Sequence, residues 1–202
     1  RYFGQKEATK RGFQRMKPAD VEPFEKMVTK HTHQTHCIVG ARAYDIHAEK
    51  RLPLALLINI LGGPSANSRL NILLREKNGL SYNIEANYTP YNDCGMVAIY
   101  FSTDHHNLDL CRELIDKELR ELRTTRLSSR RMAMTKRQFL AQMAISMENN
   151  EGYMLGAGKS FLVHDEIDTL EEVYRKVSAV TAEQIMEVAE EIFSRTSTLI
   201  YQ

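Results

Sequence analysis

The stretch from Arg69 to Ile84 decides the fold, and it reads R-L-N-I-L-L-R-E-K-N-G-L-S-Y-N-I. Its first half, to Lys77, carries leucines at positions 70, 73 and 74, a spacing typical of one face of a helix. The Asn-Gly pair that ends at Gly79 should stop this helix, because glycine accepts the left-handed backbone found at helix ends. From Leu80 the apolar residues alternate, which predicts a strand to about Tyr88.

The corner between this helix and this strand carries the candidate site residues. Arg75 lies in the last turn of the predicted helix and Tyr82 near the start of the predicted strand. Their guanidinium and phenol groups are both hydrogen-bond donors. Structural roles are also open: Arg75 can be a solvated charge favoured by the helix dipole. Strict alternation would place Tyr82 on the apolar side of the strand, together with Ala86.

The rest of the chain supplies strands and helices in two groups. Apolar runs predict strands over 24–29, 34–44, 96–103 and 197–201, and helical periodicity predicts helices over 52–61, 107–124, 128–147 and 151–163. Two capping boxes, Thr169 with Glu172 and Thr181 with Gln184, open two further helices. This order predicts an α+β fold, a mostly antiparallel sheet with helices packed on one face.

Two local patterns extend this prediction. Alternating polar residues from Ser81 to Asn87 predict the uncovered face of the sheet. Three glycines, at positions 152, 156 and 158, fall in one predicted helix. Since a glycine costs a helix interior about 1 kcal/mol relative to alanine, they predict close helix packing or room for a substrate.

The run L-R-E-K-N-G-L-S-Y, ending at Tyr82, resembles the R-E-K-x-G-L-x-Y motif of the insulinase/pitrilysin-type zinc peptidases. These include the mitochondrial processing peptidases and shorter bacterial relatives. Further short matches lie at consistent spacing, at 91–95, at Met147-Glu148 and at Val180-Thr181. The resemblance covers about residues 20 to 201, nearly the whole chain.

The resemblance implies a division of labour between two related modules that face each other around a cavity. One module supplies zinc and a catalytic glutamate, and the other supplies an arginine and a tyrosine, which match Arg75 and Tyr82. Residues 1–20 would then be a linker from an upstream module, and 21–202 the C-terminal module without zinc ligands. The expected partners are a peptide substrate and the homologous zinc-binding module, on the same chain or another. Zinc would be the cofactor of the parent metalloendopeptidase, with none held here.

The residues themselves give this chain no peptidase centre of its own. It contains neither H-x-x-E-H nor H-E-x-x-H, the zinc-binding motifs. His31, His33 and His36 are close in sequence, but on a strand the third would point away from the first two. Without a nearby carboxylate, we expect no metal there. Alone, this chain should hydrolyse no peptide.

Composition excludes several other classes of protein. The net charge of +1 argues against a nucleic-acid-binding surface, and no apolar run approaches the ~18 residues of a membrane span. Three cysteines without C-x-x-C spacing indicate free thiols, which favours a reducing compartment such as the cytoplasm. The chain does not begin with Met, so we expect a fragment or a processed product.

Two alternative functions remain open at this point. The chain can be a non-catalytic structural or partner subunit related to these peptidases. It can also be a module that binds extended peptides without cleaving them, through its sheet face or an edge strand.

Overall fold

The structure, a computed structural model, describes Gly12, Met16 and residues 18–202, so most of the predicted linker 1–20 lies outside the described residues. The strands are β1 (Glu25–Val28), β2 (Thr35–Ala43), β3 (Ile84–Pro90), β4 (Gly95–Thr103) and β5 (Ser197–Tyr201). The α-helices are α1 (Arg51–Gly62), α2 (Leu108–Thr124), α3 (Ser129–Met147), α4 (Asn150–His164), α5 (Leu170–Ala179) and α6 (Ala182–Phe193). A π-helix (Asn71–Lys77) follows α1, and a 3₁₀ turn (His105–Asn107) precedes α2.

The five strands form one sheet in the order β1-β5-β2-β4-β3. All neighbouring pairs are antiparallel except β1 and β5, which are parallel. Alternate residues of the central strands are buried on one face, including Cys37, Val39, Ile99 and Phe101. They pack in one core with α1, α2 and α6, so the predicted α+β fold with helices on one face of the sheet is confirmed.

Helix α1 is buried on almost every side, as its apolar sequence predicts, because it lies between the sheet and α6. Helix α2 buries the single stripe Leu108, Cys111, Ile115, Leu119 and Leu122. Both predicted capping boxes form, at the first turns of α5 and α6. Each box satisfies backbone N–H groups that the helix itself leaves unpaired.

Two local expectations were wrong, and one of the two explanations expected for the α4 glycines is excluded. Strand β3 begins at Ile84 and not at Leu80, because residues 80–83 form an irregular connection. Ser81 is buried instead of lying on the polar face. In the described part of the chain, nothing lies within 4 Å of a Cβ built on Gly156 or Gly158, so close packing does not account for these glycines.

The cysteines are free, as expected. Burial raises the pKa of Cys37 to about 12 and raises that of Cys111 as well. Both thiols therefore stay protonated and behave as small apolar core groups. Of the helices in residues 18–202, none is long and apolar enough to cross a membrane.

Candidate functional site

A cleft of about 540 Å³ opens beside the edge strand β3. One wall is the loop from Gly62 to Ser68, the second is the π-helix with Asn71 and Arg75, and the third runs from Tyr82 to Asn87. Arg75 and Tyr82, predicted to be close in space, therefore line the same cleft. We call it the corner cleft.

The π-helix that carries Arg75 is fixed at both ends. At its start, the half-buried Arg69 pairs with Glu118 of α2, and the Asn71 side chain donates to the Ala66 carbonyl at 2.6 Å. At its end, Gly79 has φ +61°, the left-handed conformation predicted for the corner. Leu70 and Leu74 are fully buried beneath it, so the face opposite them is left toward the cleft.

Tyr82 points into solvent because its neighbour Ser81 is held inside. The Ser81 hydroxyl donates to the Ser102 carbonyl at 2.7 Å, and the Thr103 hydroxyl donates to the Leu80 carbonyl at 2.6 Å. The backbone N–H of Ser102 in turn donates to the Asn83 carbonyl. With Ser81 turned inward and β3 starting only at Ile84, the Tyr82 and Asn83 side chains between them turn out. The conflict between alternation and an exposed Tyr82 is thereby resolved.

Both candidate side chains have donors available for a ligand. Tyr82 is 82% exposed, and none of the described residues hydrogen-bonds to its hydroxyl. The Arg75 side chain is 52% exposed and pairs only loosely with the adjacent Glu76, at 3.7 Å. An exposed pair of this kind contributes little, so the guanidinium can bind an incoming carbonyl or carboxylate oxygen.

The loop wall of the corner cleft lies very close to the strand wall. A Cβ built on Gly62 would lie 2.7 Å from both the backbone nitrogen and the Cβ of Ala86. Such distances are not tolerated between real atoms, so the end of α1 can reach β3 only because residue 62 has no side chain.

The histidines take structural positions. The imidazole Nδ1 of His36 lies 2.8 Å from the Tyr100 hydroxyl on the uncovered face of the sheet, and His31 has a positive φ of 52°. Among the residues the structure describes, no group of three or more His, Cys, Asp or Glu could hold a metal ion. The side chains of residues 18–202 therefore do not form a zinc site.

Sequence reasoning missed Ser81, Ser102 and Thr103 as positioning residues. Their contacts join the corner to the end of β4, about 20 positions away in sequence. The sequence signal that could have revealed them is the pair of small polar residues, Ser102 and Thr103, at the end of the apolar strand β4. Their partners depend on the pairing of β3 with β4, which no local pattern specifies.

The comparisons with known proteins agree with this architecture. The family model for the peptidase M16 inactive domain matches residues 1–139. An uncharacterized zinc protease, YmxG of Bacillus subtilis, is 30% identical over 170 residues, covering 84% of this chain and 41% of that protein. An uncharacterized zinc protease of Rickettsia felis is 26% identical over 181 residues, covering 90% of this chain and 44% of its own length. The chain thus spans less than half the length of these relatives.

Solved structures show the same fold. A protease from Helicobacter pylori superposes with a TM-score of 0.85 at 16% identity, over 98% of this chain and 48% of that one. The peptidase M16 inactive domain from Pseudomonas fluorescens gives a TM-score of 0.80 at 20% identity, over 92% of this chain and 45% of that one. The chain belongs to the peptidase M16 inactive domain family, as its resemblance to the insulinase-type zinc peptidases predicted.

Proposed function

We propose that this chain is the C-terminal, non-zinc-binding module of a zinc metalloendopeptidase, and that its corner cleft holds the peptide substrate. The observation that carries the proposal is the meeting of Arg75 and Tyr82 in one cleft, with the tyrosine turned to solvent by the buried Ser81. The printed names of the relatives, zinc proteases, support a peptidase as the parent protein. Because the chain spans less than half of those relatives, the zinc-binding residues would lie elsewhere in the parent protein or in a partner chain.

The chemistry of this chain is hydrogen-bond donation. Peptide-bond hydrolysis builds negative charge on the carbonyl oxygen, and donors already fixed in place stabilise that charge without reorganising. The phenol of Tyr82 supplies one donor and the guanidinium of Arg75 supplies several. The polar edge of β3, with Asn83 and Glu85 in the cleft wall, offers contacts along an extended backbone.

The test uses the full-length parent protein or its native complex. Tyr82→Phe and Arg75→Ala should each lower kcat/KM for peptide cleavage on the order of 10²-fold, the usual effect of losing one oxyanion donor. The zinc content should stay unchanged. Tyr91→Phe and Arg137→Ala, which alter side chains outside the cleft, are the matched controls. Normal turnover in both cleft variants would overturn the assignment.

A second candidate is a non-catalytic partner subunit. The family description, inactive domain, is compatible with such a role. Metal analysis of the purified native complex separates the two candidates. If zinc is bound and peptides are cleaved, the peptidase reading is supported. If neither is found, the scaffold reading stands.

A further inference from the structure

Helix α4 has an unusual surface for a helix that packs only lightly on the rest of the described chain. It runs for 15 residues and buries none of them. Large apolar side chains are exposed along it, including Met154 at 64%, Leu155 at 63%, Phe161 at 53% and Leu162 at 85%. Helices that are apolar on all sides are normally enclosed by other elements.

The apolar surface continues beyond α4 itself. Ile145, near the end of α3, is 66% exposed, and Tyr174 on α5 is 60% exposed. By contrast, the solvent side of α2 exposes a single large apolar residue, Leu110, at 45%. Concentrated exposure of this kind marks an interaction surface, whereas single exposed apolar residues are ordinary.

The position of α4 indicates which body covers it. At its end, the His164 imidazole lies 3.1 Å from the Arg51 guanidinium and packs edge-on against His47. His47 lies in the connection between β2 and α1, and Arg51 is the first residue of α1. At the end of β2 that leads into this connection, Arg42 donates to the Ala19 carbonyl at 3.0 Å and to the Asp20 carboxylate at 2.6 Å. The chain preceding β1 therefore arrives at the same end of the sheet.

We propose that α4 docks on the homologous zinc-binding module. The identity of the docked module rests on the proposed function. The existence of a docking surface rests on the exposed apolar residues of α4. In the Helicobacter pylori protease this fold accounts for 48% of the chain, and in the Bacillus subtilis relative for 41%. A body at least as large as this chain thus accompanies the fold in those proteins, enough to cover a helix of four turns.

The experiment measures thiol accessibility in the full-length protein. Leu162→Cys and Leu110→Cys are each introduced into a Cys94→Ser variant, and their rates of labelling by a maleimide dye are compared. The labelling rate of the Cys94→Ser variant alone is subtracted from both. Taken by itself, this module predicts faster labelling at 162, since Leu162 is more exposed than Leu110. Docking reverses the order: position 162 should react at least about tenfold more slowly, because an enclosed thiol reacts only when the interface opens.

Leu155→Cys serves as a second reporter, so one poorly folding variant does not decide the result. Faster labelling at 155 and 162 than at 110 would overturn the proposal. Where one chain carries both modules, protection that disappears on dilution from about 50 to about 0.1 µM would also overturn it, because mass action then identifies a second copy as the occupant. The readout is independent of the cleft variants. If the cysteines on α4 label quickly while Tyr82→Phe lowers turnover, only the docking is refuted. If the cysteines on α4 are protected while the cleft variants keep normal turnover, only the cleft assignment is refuted.

Discussion

Replacing Gly62 by alanine tests how the corner cleft is built. Gly62 is the last residue of α1, and it lies against Ala86 of β3, the two together lining the cleft. The new methyl group would meet the Ala86 nitrogen and Cβ at 2.7 Å and its Cα at 3.3 Å. Since backbone atoms are among these contacts, no side-chain rotation can relieve the clash, and the helix end must move away from the strand.

The size of the effect follows from the distances. Ordinary contacts between carbon atoms begin near ~3.5 Å, so the walls must separate by roughly 0.8 Å at this point. Overpacking of this kind costs about 1–3 kcal/mol. The gain of about 0.5–1 kcal/mol from removing a helical glycine offsets part of it, and at the midpoints of the two ranges the net loss is about 1.2 kcal/mol. For a domain of this size the melting temperature should fall by about 2–5 °C.

Thermal unfolding followed by circular dichroism measures this change. Gly40→Ala is the matched control, because a Cβ there meets a single backbone oxygen at 3.4 Å, and its melting temperature should stay level or rise slightly. Adding Ala86→Gly to Gly62→Ala should restore part of the lost stability, since it removes one of the two closest contacts. An unchanged or raised melting temperature for Gly62→Ala would refute the close-approach argument.

Two further predictions concern the stability of α6 and its contacts. Thr181→Ala removes the hydroxyl that accepts from the Gln184 N–H at 3.2 Å, so urea unfolding should show a loss of about 0.5–2 kcal/mol, while Thr181→Ser should remain near wild type. Hydrogen bonds from Lys50 first, and from Tyr44 second, hold the pKa of Glu191 below its usual 4.5. The ionised Glu191 therefore stabilises the fold above pH 4.5, and this stabilisation is lost as the pH falls through the lowered pKa of the folded state. Glu191→Gln should reduce the fall in urea midpoint between about pH 6 and 3; an acid limb identical to wild type would contradict this.

Elements encoded by local patterns could be predicted from the sequence. The inward stripe of α2 and the capping boxes at Thr169 and Thr181 depend on residues three or four positions apart, and all formed as expected. The bounds of β5 were also predicted correctly. The closeness of Arg75 and Tyr82 followed from the short corner between them, where Gly79 adopts the expected positive φ.

Features that depend on distant partners could not be predicted. Tyr82 turns outward because Ser81 bonds to Ser102, and alternation alone gave the opposite orientation. The apolar residues of α4 lie on all sides of the helix, as in an enclosed core helix, so sequence could not indicate that residues 18–202 leave them exposed. The strand order could not be predicted either, because the parallel pairing of β1 with β5 joins opposite ends of the sequence.

The placement of β5 also has a consequence for how the chain folds as it is synthesised. β5 lies between β1 and β2, and the bond from Phe24 to Ser197 spans 173 positions. While the ribosome is still making the helices, β1 has no strand to pair with. The edge of β2 that faces away from β4 is then unpaired. Such an edge invites pairing with other nascent chains, and closing a contact of this sequence separation is slow. Strand β5, five residues long, therefore completes the sheet, and until it emerges the chain depends on the three paired strands β2, β4 and β3 to remain folded.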